Sequence, residues 1–307
     1  MRPSNLFRLI LIVLIPVFLL GFYHKKLDVS QQETEGSLKN TNLKILSYNI
    51  WNGFEGEESR KKKFTEWVKQ EQPDILALQE LVNISEVELK KMAKAWGHPY
   101  VSTSKEAGYP VGLTSRYPLK NVRKVLQNMH HGYLVAEVEG LLVYVVHLSP
   151  FSHQKRVEEA QVLLKDMEKY KRKELHVLVM GDFNTYAASD SLFYLKSDLQ
   201  KALKEQGEKH SHVNNLTERR AVPFEPIHTF LQKGLHDIYS EKKSQQAFQH
   251  SFPTKVFGEV PLSEKVRIDF ILTDKKLAKK CTQVAIIKDS VTHQLSDHYP
   301  VQMIFRK

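Results

Sequence analysis

The sequence predicts an α/β fold in which mixed β-sheets stack as a sandwich flanked by helices. Three observations carry that expectation. Many short apolar or alternating runs are bounded by turn residues, few amphipathic helices lie between them, and no internal repeat is present. With 307 residues, 41% hydrophobic and 26% charged, the chain can form one large domain with a sizeable core.

The N-terminus stands apart. Arg2 and Arg8 precede the apolar run 9–23, and Lys25 and Lys26 follow it. A basic start and an apolar core fit a secretory signal. No small-x-small cleavage site follows, however, and Phe22, Tyr23 and the lysines have the character of interfacial anchors. Residues 1–24 are therefore expected to be a retained, single-pass signal anchor, with a cleaved signal peptide as the alternative. The first leaves an extracytoplasmic domain on a membrane tether; the second secretes it. Residues 25–42 are polar and aperiodic and read as a flexible linker.

The remainder, 43–307, reads as one globular domain. Its first strand is the alternating stretch 43–49. A helix over 59–70 follows, with Phe64, Trp67 and Val68 on one face, then a turn at Pro73-Asp74 and a strand over 75–78. A hairpin is expected with arms 133–138 and 141–147, turned at Glu139-Gly140. Val157, Ala160, Leu164 and Met167 recur at helical spacing. A strand over 177–180, a polar helical stretch and an irregular region over 207–226 come next. Strands over 266–272, 283–287 and 300–305 close the chain.

The net charge of +10 favours a polyanion, a phosphorylated substrate or an anionic membrane. Its carriers are dispersed in runs such as Arg60-Lys61-Lys62-Lys63 and Lys171-Arg172-Lys173, which read as solvated faces. Cys281 is the only cysteine, which excludes an intramolecular disulfide and a cysteine-rich zinc site.

Polar groups sit where apolar strands end: Asn49, Glu80, His147, Asp182 with Asn184, and Asp297 with His298. Asp269 joins them from within the strand 266–272. Strand ends hold side chains in fixed, convergent positions. Hard oxygen donors such as Glu80 suit Mg²⁺, and a carboxylate among apolar neighbours, such as Asp269, requires a partner. The set points to metal-assisted phosphate chemistry.

The segments Ser47-Tyr48-Asn49, Leu78-Gln79-Glu80, Thr114-Ser115-Arg116-Tyr117-Pro118, Val146-His147-Leu148, Gly181-Asp182-Phe183-Asn184, Arg267-Ile268-Asp269-Phe270 and Ser296-Asp297-His298 occur in that order. Together they resemble the endonuclease/exonuclease/phosphatase superfamily, the pancreatic-DNase-like fold, over the whole of 43–307. The resemblance implies a four-layer α/β sandwich of two mixed sheets flanked by helices. It also implies hydrolysis of a phosphoester bond with a divalent metal, Mg²⁺ in most members and Mn²⁺ or Ca²⁺ as alternatives. Carried over, Glu80 is the main metal ligand, assisted by Asn49 and Asp297. His298 paired with Asp269 is the general base or the phosphate-binding histidine. Asp182 and Asn184 orient the attacking water, and His147 donates to the phosphate or the leaving group.

Within the resemblance, abasic-site repair enzymes usually lack a histidine at the place of His147, so repair is disfavoured. Nucleic acid and phospholipid or sphingolipid remain open as substrates of a monomeric enzyme contacting the membrane through its N-terminus. A catalytically inactive lipid- or partner-binding module is the rival reading. Arg116 reads as an ion-pair or a phosphate-contacting residue. Phe248, Phe252 and Phe257 read as packing residues before membrane-inserting ones. His130 and His131 could line a substrate cleft and His153 could sit beside His147, but exposed loop positions are the expectation for all three; Asp237 reads as the cap of a turn or helix.

Overall fold

A computed structural model describes residues 42–243 and 247–307. The expected signal anchor lies outside the described residues, as does the linker except for Asn42, which opens the first strand. Among the described residues no helix is long and apolar enough to cross a membrane.

One six-stranded sheet contains β1 (Asn42–Asn49), β2 (Ile75–Gln79), β3 (Tyr100–Thr103), β4 (Gly112–Ser115), β11 (Cys281–Ile286) and β12 (Val301–Arg306), in the order β11-β12-β1-β2-β4-β3. The other contains β5 (Lys120–Val125), β6 (Tyr133–Val138), β7 (Leu141–His147), β8 (His176–Asp182), β9 (Leu235–Asp237) and β10 (Asp269–Asp274), in the order β5-β6-β7-β8-β10-β9. Each sheet has one parallel pair, β1 with β2 and β7 with β8, amid antiparallel neighbours.

The layering follows from burial on both strand faces. Ile45, Ala77 and Leu113 of one sheet share a core with Leu134, Val143 and Met180 of the other. The alternate residues Leu46, Tyr48 and Leu78 pack against Phe64 and Trp67 of the helix Glu58–Glu71, and against Leu89 and Met92 of the helix Glu86–Ala95. On the far side Tyr144 and Val179 pack against Ala160, Leu163 and Met167 of the helix His153–Tyr170. The result is helix, sheet, sheet, helix. A strand buried on both faces reads as a nearly continuous apolar run, which is why β2, β7 and β8 are legible from sequence.

Two readings are corrected. The strand expected over 266–272 begins only at Asp269, opposite Asp182 of β8. Before it, Val266 forms an isolated bridge with Phe252, and Ile268 donates its N–H to Ser251 Oγ at 3.0 Å. Asp269 therefore opens the strand instead of lying inside it. The region 207–226 is the second: the helix Leu199–Lys209 runs into it and the helix Glu225–Gln232 begins in it. The first of these helices belongs to a cap whose own small core joins Tyr186, Tyr194, Leu203 and Ile268, whereas Ile227 and Phe230 of the second pack into the core beneath the helix His153–Tyr170.

Candidate active site

The site lies at one edge of the sandwich because the strand directions put it there. Parallel pairing sets Asn49 beside Gln79, so Glu80 leaves the sheet next to Asn49. In the other sheet the parallel register pairs His147 with Asp182, and the antiparallel register pairs Asp182 with Asp269. β12 runs antiparallel to β1, so Asp297 and His298, which precede it, arrive at the same edge. All eight predicted site residues converge there.

Asn49 bridges the sheets. Its Nδ2 donates to Glu80 Oε1 at 3.0 Å and to Asp182 Oδ2 at 3.1 Å, and its Oδ1 accepts from the Trp51 N–H at 3.1 Å. Its main-chain oxygen accepts from Ser296 Oγ at 2.6 Å, which ties down the segment carrying Asp297 and His298. The Asn52 N–H donates to Glu80 Oε2 at 2.8 Å. Both carboxylate oxygens of Glu80 are thereby aimed. Residues Trp51 to Glu55 all have φ between 46° and 66°, and Glu80 itself has φ 61°. Non-glycine residues in left-handed conformation are strained and cluster where function over-determines the backbone.

His298 Nδ1 lies 2.8 Å from Asp269 Oδ2, both buried. Burial alone would lower the pKa of His298, but the carboxylates of Asp269, Asp297 and Asp182 outweigh it and hold the imidazole well above its ordinary value. Burial pushes the Asp182 carboxyl up, with Asp269 adding and His298 opposing. Burial likewise raises Asp297 to about 6. His147 goes the other way, to about 3, through burial and then the charge of His298. Neutral His147 presents Nε2 at 3.6 Å from Asp182 Oδ2 and 3.9 Å from Glu80 Oε1. Asn184 donates Nδ2 to the Leu148 carbonyl at 3.1 Å, and its N–H to Asp182 Oδ1 at 2.8 Å.

Among the described residues two groups bring one ligand atom from each member within 4.8 Å of one another: Glu80, His147 and Asp182, and Asp182, Asp269 and His298. The second is committed to the Asp269–His298 pair. In the first, Glu80 stands at the cleft surface with both carboxylate oxygens aimed and offers the hard donor that a divalent cation takes.

Arg116 is at the other end of the sheet. Its Nε donates to the Pro73 carbonyl at 3.2 Å and lies 3.9 Å from Asp74 Oδ1, so the ion-pair reading stands. Asp237 accepts from Arg267 Nη2 at 2.8 Å and from Ser240 Oγ at 2.6 Å, a deeper role than a cap alone. Phe248 stacks on Phe193, and Phe252 lies 4.9 Å from the His298 ring.

The expectation that His131 and His153 are exposed is overturned; both are buried. His153 lies 3.5 Å from Glu225, away from the reaction centre. The His131 ring stacks on His147 at 4.2 Å between centroids, and His130 and His131 line the cleft. The hairpin register that pairs Tyr133 with Val146 carries His131 alongside His147. That signal was present in the sequence once the hairpin was placed.

The model of the Endonuclease/Exonuclease/phosphatase family matches residues 46–298. Exodeoxyribonuclease III of Haemophilus influenzae is 23% identical over 287 residues, covering 86% of this chain and 100% of that protein. An AP endonuclease from Archaeoglobus fulgidus superposes with a TM-score of 0.63 at 20% identity, covering 86% of this chain and 99% of the other. A 3′ phosphatase from Neisseria bound to a product DNA hairpin gives 0.63 at 21%, covering 86% and 100%. At these identities the solved structures establish a shared fold.

Proposed function

The chain belongs to the endonuclease/exonuclease/phosphatase family, and we propose that it is a Mg²⁺-dependent phosphodiesterase held at a membrane by its N-terminal segment. One observation carries the catalytic part: the convergence of Glu80, Asp182 and His147 with the buried Asp269–His298 pair in one cleft. The relatives named above, a nuclease, an AP endonuclease and a 3′ phosphatase, support a phosphoester substrate. The apolar run 9–23 supports the tether.

Glu80 would hold the cation, with Asp297 in the same cleft, while Asn49 aligns Glu80 with Asp182. When bound, the cation neutralises charge on the phosphate. Asp182, fixed by Asn49 Nδ2 and by the Asn184 N–H, takes the proton of a water oriented with Asn184. The oxygen of that water bonds to phosphorus as the bond to the leaving oxygen breaks. The His298 imidazole, fixed by Asp269, faces the phosphate oxygens, and neutral His147 gives an N–H hydrogen bond to the leaving oxygen, which departs as an anion and takes its proton from solvent. Every group is present, which disfavours the inactive-module reading.

The test uses the full chain and bis(p-nitrophenyl) phosphate. EDTA should abolish turnover and Mg²⁺ restore it, with Mn²⁺ and Ca²⁺ compared. Glu80→Gln and His298→Ala should each lose at least ~10²-fold in kcat, the scale of losing one preorganised electrostatic contact. Variants indistinguishable from wild type would refute the site. Carbonate extraction of membranes tests the tether: release of the intact chain into the supernatant would rule it out.

A further inference from the structure

We propose that the substrate is a zwitterionic phosphodiester, a single phosphate joined to an alkylammonium-bearing alcohol, and that a polynucleotide strand is not; the proposal rests on the phosphodiesterase reading above. The argument is the charge of the cleft. It encloses about 1000 Å³, and among the described residues Lys105 is the only Lys or Arg in its lining. A protein that tracks a nucleic-acid backbone meets successive phosphates with several Lys and Arg side chains. One lysine in the wall, beside the groups of the reaction centre, suffices for one phosphate.

The excess positive charge of the chain is spent elsewhere. Lys61, Lys62 and Lys63 lie on the helix Glu58–Glu71, and Lys275 to Lys280 include four lysines on a helix at the opposite end of β10 from Asp269.

The cap adds negative charge to the cleft. Glu205 on the helix Leu199–Lys209 and Glu264 in the turn Leu262–Glu264 both line it, and these two elements touch. Both side chains are exposed, and neither bonds to any group of the reaction centre. Glu264 has no cationic partner among the described residues, and Glu205 has only Lys201 at 4.0 Å. Such carboxylates repel a polyanion and attract an ammonium. Tyr109, Phe151 and Phe252 supply ring surface in the same cleft, and aromatic faces bind alkylammonium groups. Phosphate recognition and cation recognition within one cleft are what a zwitterionic diester requires.

The experiment compares two soluble chromogenic diesters that release the same p-nitrophenolate, p-nitrophenylphosphorylcholine and bis(p-nitrophenyl) phosphate, with single-stranded DNA as a third substrate. Wild type and the Glu205→Lys/Glu264→Lys variant are assayed as full chains in a choline-free detergent with Mg²⁺. Both changes are at exposed positions, and matched melting curves verify the fold. The expected result is a rise of at least ~10-fold in KM for the choline ester with kcat kept, whereas the KM of the anionic bis(p-nitrophenyl) phosphate, which has no ammonium to lose, should hold or fall. DNA should be left intact. Equal effects on both diesters, no effect on either, or efficient DNA cleavage with the choline ester inert would each overturn the proposal. In all three cases turnover of bis(p-nitrophenyl) phosphate leaves the phosphodiesterase reading standing. Inactivity on every substrate would sink both.

Discussion

Gly53 should be indispensable to activity although it carries no functional group. It has φ +64° in the left-handed turn over 51–55, and a Cβ built on it would lie 2.0 Å from the Val82 carbonyl oxygen. An ordinary contact needs more than 3 Å, so Gly53→Ala must push the turn away from the segment after Glu80 by about 1 Å. Left-handed backbone costs alanine ~1 kcal/mol, and the displaced contact adds a similar or larger amount, roughly 2–4 kcal/mol in total. For a domain of this size that lowers Tm by roughly 4–15 °C. The larger effect is on turnover. Gly53 N–H donates to the Glu80 carbonyl and Asn52 N–H to Glu80 Oε2, both at 2.8 Å. A misplacement of ~1 Å at a reacting centre can cost ~10²-fold in rate. Gly56→Ala is the control: φ is +71° and nothing lies within 4 Å of its Cβ, so it should lose ~1 kcal/mol of stability and keep its activity. Melting curves and bis(p-nitrophenyl) phosphate kinetics, taken well below the lower Tm, decide. If Gly53→Ala works at the rate of Gly56→Ala, the turn does not position Glu80.

Further outcomes follow from groups away from the reaction centre. His98 is buried between Thr114 Oγ1 and the Pro73 carbonyl, each at 2.7 Å, and burial lowers its pKa to about 4. Its folded pKa thus lies below the ordinary ~6.5, so the unfolded chain takes the proton first. Stability is lost as pH falls from ~6.5 to ~4, by up to ~3 kcal/mol. In His98→Gln the urea midpoint should be lower at pH 7 yet decline less over that range; parallel curves would contradict this. Buried Arg267 meets half-buried Asp190 and buried Asp237 at 2.8 Å each, and Arg267→Met, leaving both carboxylates without their cation, should cost ~3–5 kcal/mol in urea unfolding. Arg116→Ala should leave kcat/KM within ~2-fold of wild type; a loss confined to KM would revive the phosphate-contact reading.

Much of the fold was legible because both faces of the central strands are buried and their apolar runs are long. The elements that escaped were short or partly exposed. β5, with its exposed lysines, lacks an apolar signal, and the helix Glu86–Ala95 shows itself mainly through its cap, Ser85 Oγ accepting from the Glu88 N–H. The left-handed turn after Asn49 has only Asn52 and Gly53 to announce it, since Trp51, Phe54 and Glu55 adopt φ values that their types do not favour.

The sequence by itself determined which polar residues stand at strand ends and in what order, because that information is local: a few apolar residues followed by a polar one. Convergence is not local. That Asn49 reaches Asp182 across 133 positions, and that His298 meets Asp269 at 2.8 Å, depends on strand direction and register, which periodicity does not encode. The same holds for charge. Counting residues gave +10 and pointed toward polyanions, whereas tertiary placement put many lysines on outer helices and left Lys105, with Glu205 and Glu264, in the cleft. A ligand responds to the field where it binds, and only the folded chain decides which charges make that field.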